Sequence, residues 1–361
     1  MNSLHQKPNL KLSLVKVACL IAATFATTIM AKDINGTVAK PDPQMQAVLN
    51  QLQKLGPKPL ETLTAVEARK QPTPADAVKA LLLSKSMSVE PENVGSVVNK
   101  KIGGPGSPVA IRIYTPTGKG PFPIIVYYHG GGWVIADLDT YDASPRALVN
   151  LTNAIVVSSH YRQGPEHKFP AAHEDALATY KWTLLHTKEL NGDPKRIAVA
   201  GESAGGNLAA SVSVMAREKK LAMPIYQVLV YPIADYNFAT PSYVENANAK
   251  PLNAAMMKWF FEQYLNSPND GKNTLISLVN EKNLKGLPPT TIITDQIDPL
   301  KSEGETYAKN LESAGIKVHY KNFDGVTHEF FGMSAVVDKA KEAQKFAAQG
   351  LLEAFQNNNS K

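Results

Sequence analysis

Cysteine is nearly absent from this sequence: its 361 residues include only Cys19. An internal disulfide therefore cannot form, and no CxxC pair or clustered Cys/His spacing predicts a zinc site. The excess of one sign of charge is also small, because the 38 Lys and Arg are nearly balanced by 32 Asp and Glu, which gives a net charge of +6. The longest cationic runs are pairs such as Lys100-Lys101, which argues against a nucleic-acid-binding surface.

Long apolar runs are also lacking. The apolar run at 17–31 is shorter than the ~20 residues that a transmembrane helix needs. It follows residues 1–16, which hold three lysines and no acid, and this order predicts a secretory signal peptide. Cleavage is expected after Ala31 or, alternatively, after Ala26, and an uncleaved membrane anchor is the other reading. We expect a periplasmic or secreted protein with no stable membrane span after cleavage.

The composition nevertheless predicts a sizeable folded core, because 43% of the residues are hydrophobic. Residues 32–90 contain helix-forming pieces separated by prolines. Further along, short β-branched runs alternate with helical stretches, which predicts an α/β fold with a largely parallel sheet. Several runs, such as IIVYYH at 124–129, are apolar without alternation, as expected for strands covered on both faces.

Seven strands and four long helices follow from this pattern. The strands are predicted at 109–114, 124–129, 154–159, 196–201, 225–231, 290–294 and 317–322, and the helices near 172–189, 203–219, 301–314 and 335–355. The segment 236–280 interrupts the alternation and carries an aromatic stretch at 256–265. We expect this segment to be an insertion that packs over the sheet edge.

A candidate nucleophile lies in GESAG at 201–205, between a predicted buried strand and a predicted helix. A serine flanked by glycines fits a sharp strand-to-helix turn, because neighbouring backbones come too close there for a Cβ. Ser203 would then present its hydroxyl at the helix N-terminus. A tight turn with a capping serine is the alternative interpretation.

A second motif, HGGGW at 129–133, directly follows a predicted strand. Three consecutive glycines can turn backbone amides toward one point, which suits the oxyanion of a tetrahedral intermediate. A flexible surface turn is the alternative, and the combination with GESAG favours the functional interpretation. The sequence contains neither a P-loop nor a GxGxxG fingerprint before a helix.

A serine nucleophile needs a base, and the base needs an acid that holds it in the right tautomer. Asp298 follows the predicted strand TTIIT, and His328 is the only histidine in a loop after the last predicted strand. The order Ser203, Asp298, His328 is typical of this kind of fold. Asp295 also follows TTIIT and is the alternative acid.

These motifs resemble those of the bacterial hormone-sensitive-lipase-like esterases, the family IV carboxylesterases of the α/β-hydrolase superfamily. The resemblance covers most of residues 90–350. It depends on six segments in the same order: HGGGW at 129–133, YRQGPEHKFPAAHEDA at 161–176, DPKRIAVAGESAGGNLA at 193–209, LVYP at 229–232, IDPLKSEGETYAKNLESAGIKV at 297–318 and GVTHEFFG at 325–332.

The resemblance implies an α/β-hydrolase fold, with a mostly parallel central sheet, helices on both faces and a helical cap. It implies a catalytic triad of Ser203, Asp298 and His328, and an oxyanion hole formed by the backbone amides of Gly131, Gly132 and Ala204. We therefore divide the chain into a signal peptide at 1–31, an N-terminal cap segment at 32–90, a catalytic domain at 91–235 and 281–361, and a cap insertion at 236–280.

The expected function is a serine carboxylesterase that hydrolyses short-chain acyl esters of small molecules, with no metal and no organic cofactor. An amidase, lactonase or carbamate hydrolase with the same groups is the alternative, followed by a non-catalytic ligand-binding homologue. Members of the family often form homodimers. Four aromatic residues either narrow the pocket or belong to the core: Trp133, Trp259, Phe260 and Phe261.

The sequence departs from the family pattern at several positions. Glu202 replaces the commoner Asp, His160 stands where an Asp is usual, and Gln163-Gly164 replaces Leu-Ala. Glu329 replaces the usual Gly after the histidine. Its carboxylate either raises the pKa of His328 or faces solvent.

Overall fold

One sheet of eight strands forms the centre of the computed structural model, which describes residues 39–359. The order across the sheet is β1-β2-β4-β3-β5-β6-β7-β8, and all neighbours from β4 to β8 are parallel. The strands are β1 (Ser96–Ile102), β2 (Val109–Thr115), β3 (Phe122–Tyr128), β4 (Ile155–His160), β5 (Gly192–Glu202), β6 (Gln227–Val230), β7 (Thr290–Ile297) and β8 (Val318–Thr327). The predicted mostly parallel sheet is confirmed. The predicted signal peptide at 1–31, with Cys19, lies outside the described residues.

Ten α-helices accompany the sheet in this part of the chain. They are α1 (Pro43–Leu55), α2 (Ala65–Ala68), α3 (Pro74–Ser84), α4 (Ala143–Thr152), α5 (Ala171–Leu185), α6 (Ala204–Glu218), α7 (Pro241–Glu245), α8 (Ala254–Tyr264), α9 (Lys301–Ser313) and α10 (Asp338–Asn359). Local sequence explains several ends. In α1, the Asp42 carboxylate accepts the Met45 N–H at 2.8 Å, and Gly56 ends the helix with φ 70°.

Helices cover both faces of the sheet because strand side chains alternate between its two sides. In β3, Ile124 and Val126 belong to one core cluster, whereas Ile125 and Tyr127 belong to the other. Helices α5, α6 and α9 contribute to the first cluster, and α1, α3, α4 and α10 to the second. All residues of β3 are buried, as its continuous apolar sequence predicts.

Strand β1 and helix α4 are the main elements that the sequence pattern missed. β1 pairs antiparallel with β2 at the sheet edge, and every residue before Ile102 is exposed. Its sequence SVVNKKI therefore has no buried face to produce an apolar pattern. α4 begins after Asp142, whose side chain makes no cap hydrogen bond to the helix.

Two segments that are remote in sequence lie over the same cavity. One runs from α1 to α3, and the other contains α7 and α8. The Trp259 indole N–H donates to the carbonyl oxygen of Leu63 at 3.1 Å, which joins the two segments. The cap boundaries, 32–90 and 236–280, stay a prediction. No helix within residues 39–359 is both long enough and apolar enough to cross a membrane.

Candidate active site

Ser203 occupies the turn between β5 and α6 with φ 56° and ψ −120°, a conformation that costs free energy for a residue with a Cβ. The flanking glycines are required by close packing. A Cβ on Gly201 would meet the carbonyl oxygen of Gly205, and one on Gly205 would meet that of Tyr128. The Ser203 N–H donates to the Val230 carbonyl oxygen at 2.9 Å, which fixes the turn against β6. The turn expected from GESAG is thus present.

Ser203, His328 and Asp298 form a hydrogen-bonded chain. Nε2 of His328 lies 3.0 Å from Oγ of Ser203, and Nδ1 lies 2.6 Å from Oδ2 of Asp298. Each residue directly follows a strand, β5, β8 and β7 respectively. Since the carboxyl ends of parallel strands meet at one sheet edge, residues far apart in sequence come together here. All three are buried.

Asp298, and not Asp295, contacts the histidine. The other oxygen of Asp298, Oδ1, accepts the Leu300 N–H at 2.8 Å, which fixes the carboxylate. Asp295 is fully buried, and neither of its oxygens accepts a hydrogen bond within the described residues. Burial and the neighbouring Asp298 raise the pKa of Asp295 well above its usual range. The environment of Asp295 therefore disfavours its ionised form beside Asp298.

The imidazole of His328 has a raised pKa. Burial opposes its protonation, but the carboxylates of Asp298, Glu329 and Glu202 favour the charged form and together outweigh burial. The ring of Tyr231 packs beside the imidazole, with centroids 4.5 Å apart. The environment of His328 therefore stabilises the imidazolium that would form when it takes a proton from Ser203.

The HGGGW loop lies beside Ser203. Gly131 and Gly132 adopt φ values of 93° and 59°, and both line the same cavity as Ser203. Ala204 begins α6 directly after the serine. The amide N–H groups of these three residues donate to no acceptor within residues 39–359, so they are available to a ligand. This arrangement suits a developing oxyanion.

His129 supports that loop. Its Nδ1 lies 2.8 Å from the Gly130 carbonyl oxygen, and its own carbonyl oxygen accepts the Tyr161 hydroxyl at 2.8 Å. Its Nε2 lies 3.1 Å from Nδ1 of His160, the residue that replaces the usual Asp. Burial lowers the pKa of His129 to about 3, so this histidine is neutral.

The cavity above Ser203 and His328 has a volume of about 390 Å³ and is lined partly by the two cap segments. Phe260 lines the cavity, and a Cβ on Gly132 would meet its ring. Trp133 is fully buried and stacks on Tyr264, with centroids 4.9 Å apart. Of the four aromatic residues in question, Phe260 is therefore a pocket wall. All four belong to one core cluster, and only Phe260 of the four also lines the cavity.

Three hydrogen bonds between a tyrosine hydroxyl and a carboxylate lie next to the site, and sequence reasoning did not find them. Glu202 is buried and accepts hydrogen bonds from the hydroxyls of Tyr127, at 2.5 Å, and Tyr231. Burial and the charge of Glu329 raise the pKa of Glu202 to about 7. Glu329 accepts the Tyr141 hydroxyl at 2.5 Å. The tyrosines carry no local motif that could have identified them.

Arg69, just after α2, connects the N-terminal segment to the HGGGW loop. It donates to the carbonyl oxygen of Val134 at 2.8 Å and to that of Gly164 at 2.7 Å. Its two terminal nitrogens also contact both carboxylate oxygens of Glu166, at 2.8 and 2.7 Å. Hydrogen bonding to Arg69 lowers the pKa of Glu166 to about 2. Glu166, in the motif YRQGPEHKFPAAHEDA at 161–176, therefore anchors the N-terminal segment through Arg69.

A family model described as the alpha/beta hydrolase fold matches residues 125–332, which is more than half of the chain. The chain belongs to the α/β-hydrolase fold family. It is 38% identical over 239 residues to carboxylesterase NlhH of Mycobacterium tuberculosis, covering 65% of this chain and 75% of that one. It is 31% identical over 297 residues to an ethyl acetate hydrolase of Pseudomonas putida, covering 81% and 91%.

Solved structures of esterases in this family superpose closely on the chain. The hyperthermophilic esterase from Pyrobaculum calidifontis matches with a TM-score of 0.79 at 34% identity, covering 87% of this chain and 98% of the other. An ester hydrolase from the Lake Arreo metagenome, solved with a bipyridine phosphonate derivative, gives 0.79 at 33% identity, covering 88% and 99%. Three expectations are thereby confirmed. The chain belongs to the hormone-sensitive-lipase-like carboxylesterases, it has the α/β-hydrolase fold, and it is a carboxylic ester hydrolase.

Proposed function

We propose that this hydrolase cleaves short-chain acyl esters through an acyl-enzyme on Ser203. The observation that carries the proposal is the hydrogen-bonded chain from Ser203 through His328 to Asp298 at the floor of the cavity. His328 takes the Ser203 proton as Oγ attacks the ester carbonyl, and then gives it to the departing alcohol. Asp298 holds the imidazole in the tautomer whose Nε2 can accept that proton.

The oxyanion of the tetrahedral intermediate is bound by the amides of Gly131, Gly132 and Ala204. Their N–H groups donate to no acceptor within residues 39–359, so an incoming carbonyl oxygen displaces no internal hydrogen bond. Donors of this kind are most effective when they are fixed before the reaction, and loss of one typically costs 10²–10³ in turnover. Arg69 and His129 hold the loop that carries two of the three.

The size of the cavity supports small substrates. Its volume of about 390 Å³ lies near the lower end of the range for small-molecule sites, and Phe260 lies against Gly132 within it. We infer that acetyl to butyryl esters fit and that long acyl chains do not. The partner is a small-molecule ester, and the chemistry needs neither a metal nor an organic cofactor.

A panel of nitrophenyl esters from acetate to palmitate tests both the chemistry and the size limit. We expect kcat/KM to be highest for acetate to butyrate and to fall steadily for longer chains. Ser203→Ala should lower kcat by about 10⁵-fold or more, since the nucleophile is lost. A Ser203→Ala protein that retains the native rate would disprove the acyl-enzyme mechanism, and equal rates across the panel would disprove the size limit.

Location and assembly are separate proposals. The sequence pattern of residues 1–31 supports export to the periplasm or the medium, and the family resemblance supports a homodimer. The homodimer is tested by light scattering on purified protein. A mass of twice the chain supports it, and the mass of a single chain contradicts it.

A further inference from the structure

Glu329, the residue after His328, has an unfavourable backbone conformation. Its φ is 73° and its ψ is 1°, in the left-handed region where a side chain with a Cβ is disfavoured and glycine is not. The side chain of Glu329 therefore costs free energy at this position. A compensating contact or function is expected for a strained residue next to a catalytic group.

The carboxylate of Glu329 is held at the cavity wall. The hydroxyl of Tyr141, a buried residue, donates to Oε1 at 2.5 Å. Within residues 39–359, Oε2 accepts no hydrogen bond from a side chain or backbone group. The side chain is 22% exposed and lines the cavity that contains Ser203. One oxygen is thus fixed, and the carboxylate remains accessible to a molecule in the cavity.

The distance between this carboxylate and the imidazole suits one bridging molecule. Oε1 of Glu329 lies 4.0 Å from Nε2 of His328, too far for a direct hydrogen bond. A water that makes hydrogen bonds of about 2.8 Å can reach both atoms. Nε2 also lies 3.0 Å from Oγ of Ser203, the atom that carries the acyl group. A water between Nε2 and Glu329 is therefore in hydrogen-bond contact with the base that would activate it.

We propose that Glu329 is a positioning residue for the water that hydrolyses the acyl-enzyme. One O–H of the water points to Nε2 of His328 and the other to the Glu329 carboxylate. The water oxygen attacks the acyl carbon while Nε2 takes the first proton. The bond from carbon to Ser203 Oγ then breaks, Oγ regains the proton, and the carboxylic acid leaves. This inference depends on the acyl-enzyme mechanism proposed above.

Methanol provides a sharp test, because it has one O–H where water has two. Methanol can donate to His328 and attack the acyl carbon, but it has no second proton for Glu329. A Glu329 that orients the nucleophile therefore favours water over methanol. The ratio of free acid to methyl ester, formed from one acyl-enzyme at a fixed methanol concentration, measures this preference. It does not depend on the amount of folded enzyme or on which step limits turnover.

We expect Glu329→Gly to lower the acid-to-ester ratio by about tenfold, the effect of losing one hydrogen bond to a charged group. Glu329→Gln keeps a carbonyl acceptor but loses the charge, so its ratio should fall less. Tyr141→Phe, which releases the carboxylate, should also lower the ratio. Glu312→Gln, an exposed exchange in α9, should leave the ratio at the native value.

An unchanged ratio in Glu329→Gly overturns the inference, and so does an equal fall in Glu312→Gln. The results also distinguish a wrong role for Glu329 from a wrong acyl-enzyme mechanism. If Ser203→Ala is inactive and Glu329→Gly keeps the native ratio, only the role of Glu329 is wrong. If Ser203→Ala still hydrolyses esters at the native rate, the acyl-enzyme itself is wrong.

Discussion

The imidazole of His328 is close to three carboxylates that come from three different strand ends. Asp298 follows β7, Glu329 lies just after β8, and Glu202 is the last residue of β5. Each favours the protonated imidazole, although burial opposes it, and the pKa of His328 is raised overall. In the proposed mechanism catalysis begins with the neutral imidazole, so the raised pKa of His328 moves the onset of activity to higher pH.

We therefore expect kcat/KM to rise with pH through an inflection above about 6.5, the usual histidine value. In Glu329→Gln the inflection should move to lower pH, since one negative charge that stabilises the imidazolium is removed. The plateau at high pH should change little. A pH–rate profile on nitrophenyl acetate measures both, with Glu312→Gln as the unshifted control. A native inflection below 6.5 would contradict the assigned environment of His328.

For single residues, the sequence predicted those that belong to motifs and missed the residues that form hydrogen bonds with them. Ser203 and His328 could be proposed because glycines or a strand end mark their positions. Tyr127 and Tyr141 could not, because they contact Glu202 and Glu329 across 75 and 188 residues of sequence. Such contacts depend on the sheet order, which local patterns do not encode.

Among the elements, the N-terminal segment is joined to the HGGGW side of the cavity largely through one side chain, Arg69. Arg69 links it to the HGGGW loop and to Gly164 and Glu166 through four hydrogen bonds. Two of these bonds go to backbone carbonyls, which an ordinary surface ion pair does not offer. The planar guanidinium can satisfy all these acceptors at once, and a lysine ammonium cannot.

We expect Arg69→Ala to lower the free energy of unfolding by about 1–2 kcal/mol, a modest value because the ion pair is partly exposed. The loss of loop support should also lower kcat/KM about tenfold. Thermal denaturation and ester kinetics measure the two effects. Arg69→Lys, which keeps the charge, should recover little of either. Full recovery by lysine would show that charge alone matters.

The strands buried on both faces were predictable because their apolar runs are continuous, as in β3. The exposed edge strand β1 was not, because its side chains mostly face solvent and follow no apolar period. The division of the aromatic residues between pocket and core was also beyond the sequence. Phe260 and Phe261 are adjacent on α8, and only the packing of that helix decides which one lines the cavity.

For the whole molecule, export would change the charge and the thiol content. Removal of residues 1–31 takes away three lysines and no acid, so the net charge falls from +6 to +3. Cleavage would remove Cys19 as well, so an exported chain would have no thiol in an oxidising compartment. No disulfide would then add to the two core clusters on the faces of the sheet.

We expect N-terminal sequencing of exported protein to begin at Lys32 or, with the alternative cleavage site, at Thr27. The reason is the order of a basic region, an apolar region and a small residue in this part of the sequence. Exported protein that still begins with Met1 would contradict cleavage. Ester hydrolysis assayed in separated periplasmic and cytoplasmic fractions provides the matching measurement.

The order of the strands also determines when the chain can first act during its synthesis. Ser203 and His328 are separated by 125 residues. At 5–20 residues per second, the ribosome needs roughly 6 to 25 s to add the second after the first. During that interval the nascent chain has the proposed nucleophile without the proposed base. By the proposed mechanism, hydrolysis becomes possible only after β8 has left the ribosome and paired with β7, so the first activity would mark the completion of the sheet.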